Sequence, residues 1–163
     1  EPARQIGADE LYEASLRSIP DLTSRDLDRD GVVEIPTQPV GAGLINSSQG
    51  RRMDFILWMD YTSAQPRKSF GILDEELGFY LELPMEWYGS LMLTDGADED
   101  TVELRSQDGE QLYLVVRITG LADRTPGWTR LGVASNRLVQ ARFGTGVTAA
   151  DPLYRLSRSM YLL

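Results

Sequence analysis

Asp26-Leu27-Asp28-Arg29-Asp30-Gly31-Val32-Val33-Glu34-Ile35-Pro36 is the stretch on which the reading of the fold turns. Carboxylates at alternate positions, then a glycine, then a further carboxylate three residues on, is the spacing with which a short loop wraps a hard cation in oxygen ligands. The residues downstream decide the kind of loop. Ile35-Pro36-Thr37-Gln38-Pro39-Val40-Gly41-Ala42-Gly43 holds two prolines and two glycines, so no helix leaves it. A helix-loop-helix calcium site starting at Asp26 would need a bidentate acid at its last position, where this chain has Thr37. The loop is expected to join two strands.

Upstream, residues 9–19 (Asp9 to Ile19) admit two readings. Tyr12, Leu16 and Ile19 fall at helical spacing, while Tyr12, Ala14 and Leu16 alternate as in a half-buried strand. Pro20 and the acidic loop after it suit a hairpin, which favours the strand. A solvated turn held by its own Asx hydrogen bonds is the plain alternative for the loop itself. Against it stands electrostatics, because carboxylates this close repel one another without a counter-ion.

Asp26, Asp28, Asp30, Gly31 and Glu34, followed by apolar Ile35, resemble the Asp-x-Asp-x-Asp-Gly-x-x-Asp/Glu loop of FG-GAP and VCBS repeats. The resemblance spans residues 1–46, one hairpin rather than a propeller. It implies carboxylate ligands from Asp26, Asp28, Asp30 and Glu34, a backbone carbonyl from Val32, and a sharp turn at Gly31. Calcium is the ion expected, since magnesium tolerates crowded protein ligands poorly. The role expected is structural, because a loop between strands has no helix pair to swing open.

At 163 residues the chain suits one ordinary domain, or one domain with a fragment of a neighbour. A hydrophobic fraction of 42% with 25% charged residues is that of a globular protein, and no apolar run is long enough to span a bilayer. The formal charge of −9 disfavours a nucleic-acid binder, which needs a basic face to release counter-ions. Lys68 is the only lysine; the other basic residues are scattered arginines. There is no Cys and no His, which removes thiol nucleophiles, imidazole bases and zinc sites built on either. The chain opens Glu1-Pro2-Ala3-Arg4 without an apolar leader, so any targeting segment is expected upstream.

Ser47-Ser48-Gln49-Gly50-Arg51-Arg52 reads as a polar boundary between a loop segment, 1–46, and a second unit, 52–163. Arg52 to Tyr61 reads as a strand buried on both faces. Strands are expected at Phe79–Leu83, stopped by Pro84, at Ser90–Thr94, Thr101–Arg105, Gln111–Thr119 and Arg137–Phe143, with a hairpin turn at Asp108-Gly109. Asp151-Pro152 looks like a helix start, and Leu153, Leu156, Met160 and Leu163 then share one helical face. The fold class expected is α+β: a mostly antiparallel sheet with a C-terminal helix packed on it, preceded by the calcium-loop hairpin.

Gly78-Phe79-Tyr80-Leu81-Glu82-Leu83-Pro84-Met85-Glu86-Trp87 resembles a signature of PsbP-like and Mog1-like domains, and of a module found beside VCBS-like segments in secreted Firmicutes proteins. That resemblance implies an exported or cell-surface location, lipoproteins included. The leading expectation is a non-catalytic binding or assembly module with a structural calcium site. Trp58, Trp87, Trp128, Tyr61, Tyr80 and Tyr88 are either core residues or an aromatic platform for a protein or glycan, with Trp87-Tyr88 the pair expected at the surface. The competing expectation is a carboxylate-dependent glycan hydrolase drawing on Glu75, Glu76, Glu82, Glu86 and Glu103. A purely structural domain of a larger protein is the third. The acidic stretch Asp95–Asp100 lacks alternate spacing and reads as a hairpin tip.

Overall fold

The computed structural model describes residues 22–39, 50–145 and 154–163. The expected strand within 9–19, the first half of the polar boundary and the Asp151-Pro152 helix start lie outside these residues. Among the described residues, ten strands form two antiparallel sheets. Sheet 1 runs β1 (Ile35–Thr37), β2 (Met53–Met59), β3 (Arg67–Asp74), β4 (Phe79–Leu83) and β10 (Met160–Leu162). Sheet 2 runs β5 (Leu91–Asp95), β6 (Thr101–Ser106), β7 (Leu112–Thr119), β9 (Arg137–Phe143) and β8 (Thr129–Ala134). The segments on either side of the polar boundary share one sheet, since Pro36 of β1 lies opposite Trp58 of β2.

Alternation explains the layers. On sheet 1, Phe55, Leu57, Phe70, Ile72, Phe79, Leu81 and Leu83 face sheet 2, where Leu93, Leu104, Leu114, Val116, Val139 and Ala141 meet them in one core. The opposite face of sheet 1 is also apolar. Ile56, Trp58, Leu73 and Tyr80 make a second core with Leu22, and Leu27, Tyr161 and Leu163 pack against it. The segment carrying the acidic loop thus forms part of the outer cover of sheet 1. Outer residues of sheet 2 are mostly polar: Glu103, Arg117, Gln140 and Arg142 occupy positions alternate to the core residues.

Turn chemistry sets the joints. Ser135 and Asn136, with φ 47° and 60°, form the two-residue turn between β8 and β9, the left-handed pair that matches the twist of a hairpin. Gly71 marks a close approach within sheet 1. A Cβ built there would lie 2.1 Å from the Leu81 carbonyl oxygen and 2.8 Å from the Tyr80 ring.

The fold is mainly β, and the expected C-terminal helix is not among the described residues. Leu156–Arg158 is a single 3-10 turn, and Met160–Leu162 continues as β10, paired with β4 through Met160 opposite Leu81 and Tyr161 opposite Tyr80. The physical reason is the free edge of β4. Its Glu82 N–H donates to the Ser159 carbonyl at 2.7 Å, and the Leu163 N–H donates to Gly78 at 3.0 Å. A helix would satisfy its own amides and leave those of β4 exposed. Leu156 still reaches the inner core, while Tyr161 turns to the outer one.

Gly71→Ala is expected to lower stability by about 1–3 kcal/mol, a fall in melting temperature of roughly 3–10 °C, because the added methyl meets backbone rather than a flexible side chain. Thermal unfolding followed by circular dichroism measures it.

Candidate metal centre in the 26–34 loop

The loop is a hairpin tip. Arg25 and Glu34 close it with two backbone hydrogen bonds, Arg25 N–H to the Glu34 carbonyl at 3.1 Å and Glu34 N–H to the Arg25 carbonyl at 2.9 Å. Between them the chain reverses through Arg29, φ 64°, and Gly31, φ 92°. The second of these values is one that glycine adopts without cost.

The backbone amides of the loop point at its own carboxylates. Asp26 accepts from Asp30 N–H at 3.0 Å on one oxygen and from Gly31 N–H at 2.9 Å on the other. Asp28 Oδ1 accepts a longer bond from Asp30 N–H at 3.3 Å, and Asp30 Oδ1 accepts from Val32 N–H at 2.9 Å. Glu34 Oε2 accepts from Leu27 N–H at 2.7 Å. These bonds fix which way each carboxylate faces.

Three of the five expected ligand residues come together. Carboxylate oxygens of Asp26, Asp28 and Glu34 lie within 4.8 Å of one another. Asp30 stands outside that cluster. Its Oδ2 is 2.7 Å from Lys68 Nζ, which also lies 3.1 Å from Asp28 Oδ2. The Lys68 hydrogen bond, helped by the Val32 N–H, holds the Asp30 carboxyl below its ordinary value, and the same pairing holds Lys68 above the usual lysine range. Val32 enters the geometry through its N–H on Asp30.

Glu34 is the unusual member. It is 0% exposed, and its Oε1 has no hydrogen-bond partner. A buried carboxylate oxygen left bare is costly, and its neighbours in the cluster are two more carboxylates. The arrangement is one of hard oxygen donors converging where Glu34 Oε1 has no hydrogen-bond partner, the chemistry suited to a divalent hard cation.

The other expected sites resolve differently. Trp87 is buried, with its indole edge-to-face against Tyr113 and Phe143 at 5.1 and 6.2 Å between ring centroids, so the expected surface pair Trp87-Tyr88 is not one. Pro84 ends β4 and the 3-10 turn Met85–Trp87 rolls the ring inward; Tyr88 lies edge-on to Phe70 with the Arg67 guanidinium 4.4 Å above it. Trp58 and Tyr80 are buried, and Trp128 is covered by Arg142 at 4.4 Å. At the Asp95–Asp100 tip, Asp100 Oδ1 is 3.8 Å from Arg51 and 3.7 Å from Arg137.

Lys68 is the residue that sequence reasoning missed. The signal was its being the sole lysine among arginines, but its partners lie 38 and 40 positions away in sequence. A second buried acid, Asp54, was missed as well. It sits on the outer face of β2 opposite Leu73, 0% exposed, with neither oxygen hydrogen-bonded and Arg52 Nε 3.3 Å away.

Comparison of the chain with family models, curated proteins and solved structures returned no match.

Burial raises the Asp54 carboxyl above its ordinary value, and Arg52 only partly offsets this. A carboxyl raised in the folded state contributes stability that is complete below the unfolded value near 3.8 and is lost as pH rises through the folded value. Asp54→Asn is therefore expected to stabilise the protein by about 1 kcal/mol at pH 7, raising the melting temperature by roughly 2–4 °C. The gain should shrink as pH falls toward 3.8, which melting curves across pH 3–7 would reveal.

Proposed function

We propose that the chain is a non-catalytic, exported or cell-surface binding or assembly module whose 26–34 loop holds a structural calcium ion. The single observation that carries the cation is Glu34, wholly buried beside Asp26 and Asp28 with one oxygen unpartnered. Replacing water around such a group with nothing is unfavourable; replacing it with a cation is not. Oxygen-only donors favour a hard ion, and calcium accepts the irregular, crowded coordination a loop of this kind offers, where magnesium asks for a near-ideal octahedron. The loop joins Arg25 to β1 with no helix on its C-terminal side. A cation there holds a covering segment in place rather than driving a large opening.

The location rests on the resemblance to FG-GAP, VCBS and PsbP-like or Mog1-like proteins. It fits a site of modest affinity, which millimolar calcium outside cells would keep filled. Two observations weigh against the glycan-hydrolase alternative. Glu82 lies on the outer face of sheet 1, accepting from Ser69 Oγ, whereas Glu103 lies on the outer face of sheet 2, 2.7 Å from Arg105 Nε. Glu75, Glu76 and Glu86 are exposed in turns, so these acids offer no pair across a common cleft. With Trp87 spent on the core, the binding role carries no argument from that aromatic pair.

Because calcium would bind the folded state alone, it should raise the melting temperature over that in chelator, by an amount that grows with the logarithm of its concentration. Asp28→Ala should weaken that shift. Glu34→Gln keeps an oxygen for the Leu27 N–H and removes the buried charge, so it should raise the midpoint in chelator while nearly abolishing the calcium increment. Identical midpoints with calcium and chelator, together with no heat on titration, would remove the reading.

A further inference from the structure

The acidic loop already holds one cation of its own. Lys68 belongs to β3, where the register slips: Trp58 lies opposite Ser69 and Met59 opposite Arg67, so Lys68 is the extra residue of a bulge. A bulge re-aims a side chain out of the regular alternation. Here it sends the ammonium across to the loop, to Asp30 Oδ2 at 2.7 Å and Asp28 Oδ2 at 3.1 Å.

Two features make this more than a surface ion pair. Asp28 is shared, since it also belongs to the cluster with Asp26 and Glu34. Asp30, which the loop spacing marks as a ligand, is kept out of that cluster by the same ammonium. Lys68 therefore neutralises the outer side of the loop and leaves the buried side, at Glu34, bare. A divalent ion drawn to the bare side would repel the ammonium beside it and compete with it for Asp28.

We infer that Lys68 is a built-in competitor of the cation: it latches Asp28 and Asp30 when no divalent ion is bound and is released from them when one binds. The inference rests on the reading of the loop as a cation site and adds its control. Lys68 lowers the affinity of the site and keeps the metal-free loop seated on sheet 1, so the cover stays in place at low calcium.

The chain's having one lysine makes the test direct. Lys68→Met removes the charge and keeps most of the length. It should bind calcium about tenfold tighter by titration calorimetry, the loss of one like charge next to a divalent ion, and melt at a lower temperature in chelator. In the unaltered protein, acylation of Lys68, followed by peptide mass mapping so that the terminal amine is counted apart, should be slow in chelator and several-fold faster with saturating calcium.

Equal or weaker calcium binding by Lys68→Met, or unchanged Lys68 acylation while the unaltered protein binds calcium, would overturn the inference and leave the metal site standing. No calcium binding by either protein would remove the site and the latch together. Should Lys68→Met fail to fold, the acylation rates decide alone.

Discussion

Sheet 1 is apolar on both faces, and the rest of the molecule is shaped by having to cover it twice. Phe55, Leu57, Phe70, Ile72 and Leu81 are answered by sheet 2, a large surface with its own alternation. Among the described residues, Ile56, Trp58, Leu73 and Tyr80 meet no second sheet. They are covered by Leu22 and Leu27 from the N-terminal side and by Tyr161 and Leu163 from the C-terminal side. Within the described residues both covers are short, and neither has a core of its own. Each must be pinned at its ends, β10 by pairing with β4 and the loop segment by whatever closes it between Arg25 and Glu34.

Closing that loop is an electrostatic problem. The turn that lets Leu27 lie on the sheet also brings Asp26, Asp28 and Glu34 together, with Glu34 out of reach of water. Backbone amides of Leu27, Asp30, Gly31 and Val32 satisfy much of the carboxylates' demand for hydrogen bonds, yet amides carry no net charge. Lys68 supplies one positive charge on the exposed side. A divalent ion on the buried side would complete the balance, and the two cations compete through Asp28. The same chain handles other acids with arginine, as at Asp100 and Asp123, each ion-paired on its hairpin or loop.

Strands with strong alternation or near-continuous apolar runs were legible in the sequence: β2, β4, β6, β7 and β9 lie where composition and turn residues place them. That no helix leaves the acidic loop was also legible, because Pro36 and Pro39 forbid one there and the chain continues as β1. The C-terminal segment misleads for a definable reason. Leu156, Met160 and Leu163 fit helical spacing by coincidence, and the unpaired edge of β4, a property of the assembled sheet, decides against the helix. Trp87 reads as a surface residue because it comes soon after a proline at a strand end, but one 3-10 turn suffices to carry its ring to Tyr113 and Phe143. In the site, ligand types and spacing were readable locally. The diversion of Asp30 was not, since it depends on a bulge in β3 that only the pairing with β2 creates.

The most direct test of the central claim is a crystal structure from calcium-containing solution, with the anomalous signal measured to locate the ion. The account predicts a peak about 2.3–2.6 Å from carboxylate oxygens of Asp26, Asp28 and Glu34, with Lys68 Nζ withdrawn from Asp28. A map with no peak at the loop, Glu34 Oε1 still unpartnered and Lys68 still bridging Asp28 and Asp30, would contradict it.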